Sequence, residues 1–239
     1  MKVYLFMGSH LREIQTCIQH LASQDEASSQ IVRFPAGLDW PVSGDDSIEL
    51  VEYDPENSLL VLDPDQEATV FIVLDPRMEP IAQLEQLAGQ LGNCLVEPVK
   101  IITCVDCGAA ENSPQLRAWL EACIYYSDIV LLGNRSKASK PFVRDYQKGF
   151  ERLCYPCLFG FLKGGGKPDI ALEILAPDTR RISQLFDLGE DLPAVAPGTI
   201  IESSCDLDLE EEESDPYRSP ANQESPPPTI PDISKWIVN

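Results

Sequence analysis

KVYLFMGSHLREIQTCIQHL, residues 2–21, passes from an apolar run through one glycine into a segment whose Leu11, Ile14, Cys17, Ile18 and Leu21 recur at helical spacing. That is a strand, a tight turn and an amphipathic helix with one buried stripe. The alternation continues outward from it. Aliphatic or β-branched runs stand at residues 30–34 (QIVRF), 59–62 (LLVL), 69–74 (TVFIVL), 99–104 (VKIITC), 128–132 (DIVLL), 157–162 (CLFGFL) and 170–175 (IALEIL). Between them three helices announce their starts: Pro80 before Ile81, Leu84, Leu87, Ala88 and Leu91; Ser113-Pro114 before Leu116, Trp119, Leu120, Cys123 and Ile124; and Ser139 before Phe142, Val143, Tyr146 and Phe150. Runs such as VFIVL and DIVLL are apolar at consecutive positions, as in strands covered on both faces. The pattern predicts an α/β fold, a three-layer αβα domain on a mostly parallel sheet whose edge strands are the less apolar ones.

Composition sets the boundaries. The 239 residues are 44% hydrophobic and 24% charged, enough for one sizeable core. Eighteen Lys and Arg against 39 Asp and Glu leave a net charge of −21, which repels nucleic acid and anionic membrane surfaces. The opening residues lack the apolar core of a signal peptide, and no run reaches the roughly 18 apolar residues of a membrane span, so a cytoplasmic protein with reduced thiols is expected. Near residue 202 the composition changes. Residues 202–239 hold ten acids, among them Glu210 to Glu213, against Arg218 and Lys235, and run on through Pro226-Pro227-Pro228. A folded domain at residues 1–201 and a disordered acidic tail at 202–239 are expected.

The first turn invites comparison with the phosphate loop G-x-x-x-x-G-K-[ST], whose backbone N–H groups cradle phosphates while its Lys neutralises them and its hydroxyl holds magnesium. Gly8 stands at the first glycine, but Glu13, Ile14 and Gln15 occupy the second glycine, the lysine and the hydroxyl position. Further along, VKIITCVDC (residues 99–107) resembles the V-V-T-V-V-D-A strand of the CobW-type metallochaperone GTPases, with Asp106 at the matching Asp. AWLEACIYYSDIVLLGNRSK (residues 118–137) resembles their helix and strand ending in the guanine-reading N-K-x-D, with Asn134 and Arg135 for Asn and Lys and Lys137 where the Asp belongs. An ammonium has no acceptor for the guanine edge. TVFIVLDPRMEPIAQL (residues 69–84) resembles their E-T-x-G-x-A-D-P strand and loop, with Asp75 and Glu79 as its acids. SIELVEYDPENSLLVL (residues 47–62), where the family's C-x-C-C belongs, has no cysteine.

The resemblance spans residues 1–175. It implies a P-loop NTPase-like fold with a degenerate nucleotide site at Gly8, Ser9, His10, Arg12, Asp75, Asp106 and Asn134, and a pseudo-GTPase that binds a protein partner without catalysis or cofactor. The alternative it leaves is a weak GTP-binding metallochaperone, using GTP with Mg2+ and holding Zn2+ on Cys104, Cys107, Cys154 and Cys157. Those four have the paired C-x-x-C spacing of zinc sites. Against zinc, the first pair ends a strand and the second begins one, which places them at opposite edges of a parallel sheet, and buried thiols often serve as small hydrophobes.

Other features have plainer readings. His10 with Ser9 and Arg12 could meet an anion at the helix N-terminus, but a solvated loop histidine is expected, since Glu13 opposes an anion there. Gly164-Gly165-Gly166 reads as a hairpin turn leading into another strand, and Arg180 and Arg181 as the polar face of a short helix capped by Asp178. In the tail, Ile233, Trp236 and Ile237 fall at helical spacing behind Asp232 and Ser234. They form either a tethered recognition segment for a partner groove or an anchor that folds back on its own domain.

Overall fold

The computed structural model describes residues 1–25, 27, 29–38, 40, 48–55, 67–164, 166–186, 215–218 and 228–238. Strands β1 (Lys2–Gly8), β2 (Ser29–Pro35), β3 (Ile48–Tyr53), β4 (Ala68–Val73), β5 (Pro98–Asp106), β6 (Ile129–Gly133), β7 (Leu158–Lys163) and β8 (Lys167–Pro168) form one sheet in the order β3-β2-β4-β1-β5-β6-β7-β8. All neighbours are parallel except β7 and β8. The expected α/β class and mostly parallel sheet are therefore present. The candidate strand at 59–62 lies outside the described residues.

β1 is central, and its alternate side chains build both cores. Val3, Leu5 and Met7 face helices α2 (Pro80–Asn93) and α4 (Pro114–Tyr125) through Leu84, Leu87, Leu116 and Trp119. Tyr4 and Phe6 face α1 (Leu11–Ala22), whose Leu11, Ile14, Cys17, Ile18 and Leu21 are all buried. Strands flanked this way lose water on both sides, each fully buried aliphatic side chain contributing about 2 kcal/mol. Helix starts follow the capping residues: Glu79 accepts from Ile81 and Ala82 N–H, Ser113 from Leu116 N–H, and Ser139 from Phe142 N–H at the head of α5 (Lys140–Arg152). Of the α5 stripe only Phe150 is fully buried; Phe142, Val143 and Tyr146 are half-buried against the core edge. β3, with Glu49 and Glu52 on its exposed positions, is the polar edge strand. A six-residue helix, α3 (Cys107–Asn112), follows β5 directly, started by Asp106.

Two expectations are corrected. IALEIL is not a strand: Ala171–Leu175 is a short helix, α6. The hairpin between β7 and β8, held by Phe161 N–H to Asp169 Oδ1 at 2.7 Å and Asp169 N–H to Phe161 O at 3.0 Å, turns the chain off the sheet. Ile174 then fills the α1 layer while Leu172 is exposed, which a helix permits and a sheet position does not. Nor do Asp178 to Arg181 begin a helix. They carry no regular structure and lie near the amino ends of β5 and β6, where fully buried Asp128 accepts from Ile101 N–H at 2.8 Å, Arg180 N–H at 2.6 Å and Arg181 Nη1 at 3.2 Å. Lys100 Nζ donates to the Asp178 carbonyl. Satisfying a buried carboxylate outweighs the modest helix preference of the segment.

Candidate functional site

The carboxyl ends of β1, β5 and β6 bring Gly8, His10, Glu13, Asp106 and Asn134 together. Gly8 has φ +152°, and a Cβ there would stand 2.6 Å from the Cys104 carbonyl oxygen, so the close approach of β1 and β5 demands glycine. His10 is half-buried, not a free loop histidine: it precedes α1 and its Nδ1 accepts from Glu13 N–H at 3.3 Å. Burial pushes its pKa down, against the pull of Asp106, and so favours the neutral ring. Asp106 Oδ1 accepts from Ala109 N–H at 2.9 Å, and its Oδ2 from Asn134 Nδ2 at 2.8 Å. Asn134 takes a left-handed conformation, φ 46°, after β6. The Asp106 and Asn134 side chains thus face each other.

Glu13 is the residue whose position sequence reasoning understated. Its carboxylate lies over Gly133, where a Cβ would come within 2.2 Å of Oε2. Oε2 is buried and has no hydrogen-bond partner among the described residues. Burial, aided by the charge of Asp106 and opposed by the Asn134 backbone N–H and by Lys137, pushes the Glu13 pKa up to about 7. The available signal was an acid in place of the second glycine of the phosphate-loop pattern, and a glycine where β6 ends.

The C-terminal segment closes the same loop. Ser9 O accepts from Val238 N–H at 2.8 Å, and Leu11 N–H donates to Val238 O at 2.8 Å, so residue 238 runs as a short parallel bridge beside His10. A 3-10 turn spans Ser234–Trp236, and Asp232 before it accepts from Ser234 N–H through Oδ1 at 2.8 Å. Ile233 is 1% exposed in the α2–α4 layer, Trp236 packs beside it, and Ile237 packs on the α1 layer. Residues 230–238 are folded back on the domain, the second of the two arrangements the sequence allowed.

The remaining candidates lie apart. Arg12 is exposed on α1. Asp75, at the end of β4, is 2% exposed and takes Arg77 Nη2 at 2.6 Å and Nε at 2.9 Å, while Gln83 bonds its backbone on both sides. Cys104 is buried on the α1 side of the sheet, whereas Cys107 and Cys157 are buried on the other. Cys154 is exposed in a left-handed turn, φ 57°. Burial raises the thiol pKa of Cys104, Cys107 and Cys157. The structure does not bring the four thiols together, and among the described residues no group of three or more His, Cys, Asp or Glu is arranged to hold a metal. No described helix is long and apolar enough to cross a membrane.

These features define a three-layer α/β protein with a mostly parallel sheet and a polar cluster at the carboxyl ends of its central strands. Among solved structures it is similar to the Zn(II)-bound YjiA GTPase from E. coli, at 18% identity and a TM-score of 0.45, over 72% of this chain and 60% of that one. The match thus spans less than two thirds of the E. coli protein. Comparison with protein-family models and with curated protein sequences gives no match.

Proposed function

We propose that this chain is a P-loop NTPase-like, CobW-like pseudo-GTPase that acts in the cytoplasm as a protein-binding or regulatory module. The observation carrying this reading is the occupancy of the first turn of α1: Leu11 N–H is given to the Val238 carbonyl and Glu13 N–H to His10. A phosphate chain needs those donors free and positive charge beside them. Here the Val238 carbonyl oxygen stands in that place and repels phosphate oxygens, and Ile14 stands where the phosphate-loop lysine would be. Asn134 is likewise engaged with Asp106 rather than free to read a base. The C-terminal segment supplies the partner side of the proposal. Ile233, Trp236 and Ile237 end a long acidic stretch and form an apolar anchor that a partner groove would take up in exchange for their own domain.

Thermal unfolding with and without magnesium GTP, GDP and ATP tests this, because any ligand that prefers the native state raises the midpoint. No rise is expected with any of the three. A rise with magnesium GTP that disappears in Asp106→Asn would overturn the reading.

A further inference from the structure

Beside the plugged loop the described residues enclose an open cavity of 840 Å³ between the β6–α5 connection, α5 and the end of β7. Its wall carries four cations, Arg135, Lys140, Arg144 and Lys163, and one acid, Glu13. In a chain with 39 acids and 18 bases this concentration is against the average. Arg144 has a partner, Asp145 at 2.8 Å, in an exposed pair of little energetic weight. Arg135 Cζ stands 4.0 Å over the centroid of the Phe161 ring, a cation–π contact that holds the guanidinium at the cavity wall. No ion pair involves Arg135, Lys140 or Lys163 among the described residues. Like charges brought to one cavity repel, and Glu13 is the one acid lining the cavity among the described residues.

Two further observations agree. The cavity lies outside the carboxyl ends of β6 and β7, the edge where open parallel sheets take their ligands. Lys140 is also the first residue of α5, so the positive end of a 13-residue helix dipole adds to the side-chain field.

We propose that this cavity binds a small multivalent anion of phosphate or polycarboxylate type, held by Arg135, Lys140 and Lys163. The Glu13 side chain also lines the cavity. With its pKa near 7, Glu13 is part-protonated at neutral pH and does not oppose the anion as a full charge. The cavity shares Glu13 and Asn134 with the cluster at the carboxyl ends of β1, β5 and β6, but its cations stand on the β6–α5 connection, α5 and the end of β7 rather than on the α1 turn that Val238 closes.

The test is calorimetric titration of the full chain with pyrophosphate and with citrate, without magnesium and at low salt, using acetate as the monovalent control. Lys140→Ala and Lys163→Ala alter exposed side chains and leave the fold intact, which circular dichroism verifies. Saturable binding of at least one multivalent anion is expected, weakened about 3- to 10-fold by each variant and by more in the double variant. Binding of pyrophosphate alone assigns a phosphate ligand, of citrate alone a polycarboxylate, and of both a site selecting on charge. Absence of binding by either anion overturns the proposal. Binding that the double variant leaves unchanged overturns it equally, because the anion would then sit elsewhere.

Discussion

Two acids at the carboxyl edge of the same sheet have been put to opposite uses. At the end of β4, both Asp75 oxygens are taken by Arg77, which also reaches the Ala36 carbonyl at 2.9 Å, and Gln83 clamps the backbone from α2. At the end of β6, Glu13 keeps one buried oxygen that no described residue hydrogen-bonds, and the buried Ser9 Oγ at the start of α1 is in the same position. Buried polar groups without partners cost free energy, so they persist where something other than stability holds them. The β4 end is finished structure. The β1–β6 end carries two buried polar atoms that no described residue satisfies.

Removing the finished side therefore has the largest expected effect. Asp75→Ala removes the carboxylate that holds Arg77 and loosens the β4–α2 connection, and because Arg77 is 37% exposed the cost is about 3 kcal/mol rather than the upper range for a buried pair. Urea unfolding should show a lower midpoint at unchanged slope. A loss below about 0.5 kcal/mol, the level of an ordinary surface change, would show that the Asp75 cluster is no more structural than the Glu13 cluster. Next in size, Ile233→Ala deletes a side chain 1% exposed and should destabilise by about 2 kcal/mol, at the low end for core truncations because a terminal segment opens locally. An unchanged midpoint would mean that the C-terminal segment is not docked in solution, and the α1 turn would then be open.

The difference between the two ends was only partly legible in the residues. Strand–glycine–helix at residues 2–21 and the consecutive apolar runs pointed to the parallel sheet, because burial on both faces writes itself directly into the sequence. Asp106 and Asn134 were readable as ends of strands, and once β5 and β6 are neighbours their pairing follows. IALEIL was not readable, since Ile170, Leu172 and Ile174 satisfy a period of two while Ala171, Ile174 and Leu175 satisfy a helical one; the β7–β8 hairpin decides between them. The tail showed its charge and prolines plainly, but an apolar anchor such as Trp236 serves a partner or its own domain equally well. Glu13 was visible as a mismatch to a motif. Its contact with Gly133 depends on elements far apart in sequence, and no local pattern encodes that.

The smaller predictions sharpen the contrast at Glu13 itself. A carboxyl whose folded pKa is raised from 4.5 to about 7 binds its proton more tightly folded than unfolded. Its favourable contribution is present at low pH and is lost as pH rises from 4.5 through 7, which is the reverse of a paired carboxylate. Glu13→Gln, which cannot ionise, should match the native protein near pH 4.5 and exceed its stability by about 1 kcal/mol or more at pH 8, a tenfold change in proton affinity being worth about 1.4 kcal/mol. A difference that does not change between those pH values would place the Glu13 carboxylate in water.

Ser9→Ala gives the smallest effect and the cleanest reading. The hydroxyl is 1% exposed and makes no hydrogen bond with a described residue, so replacing it removes a buried polar atom that nothing satisfies. In a fully paired site such a change costs about 1 to 3 kcal/mol, whereas here it should fall within about 0.5 kcal/mol of zero or stabilise. Urea midpoints of the two proteins measure this directly. A loss of the larger size would mean that Ser9 already holds a partner, and the contrast between the two ends of the sheet would then rest on Glu13 alone.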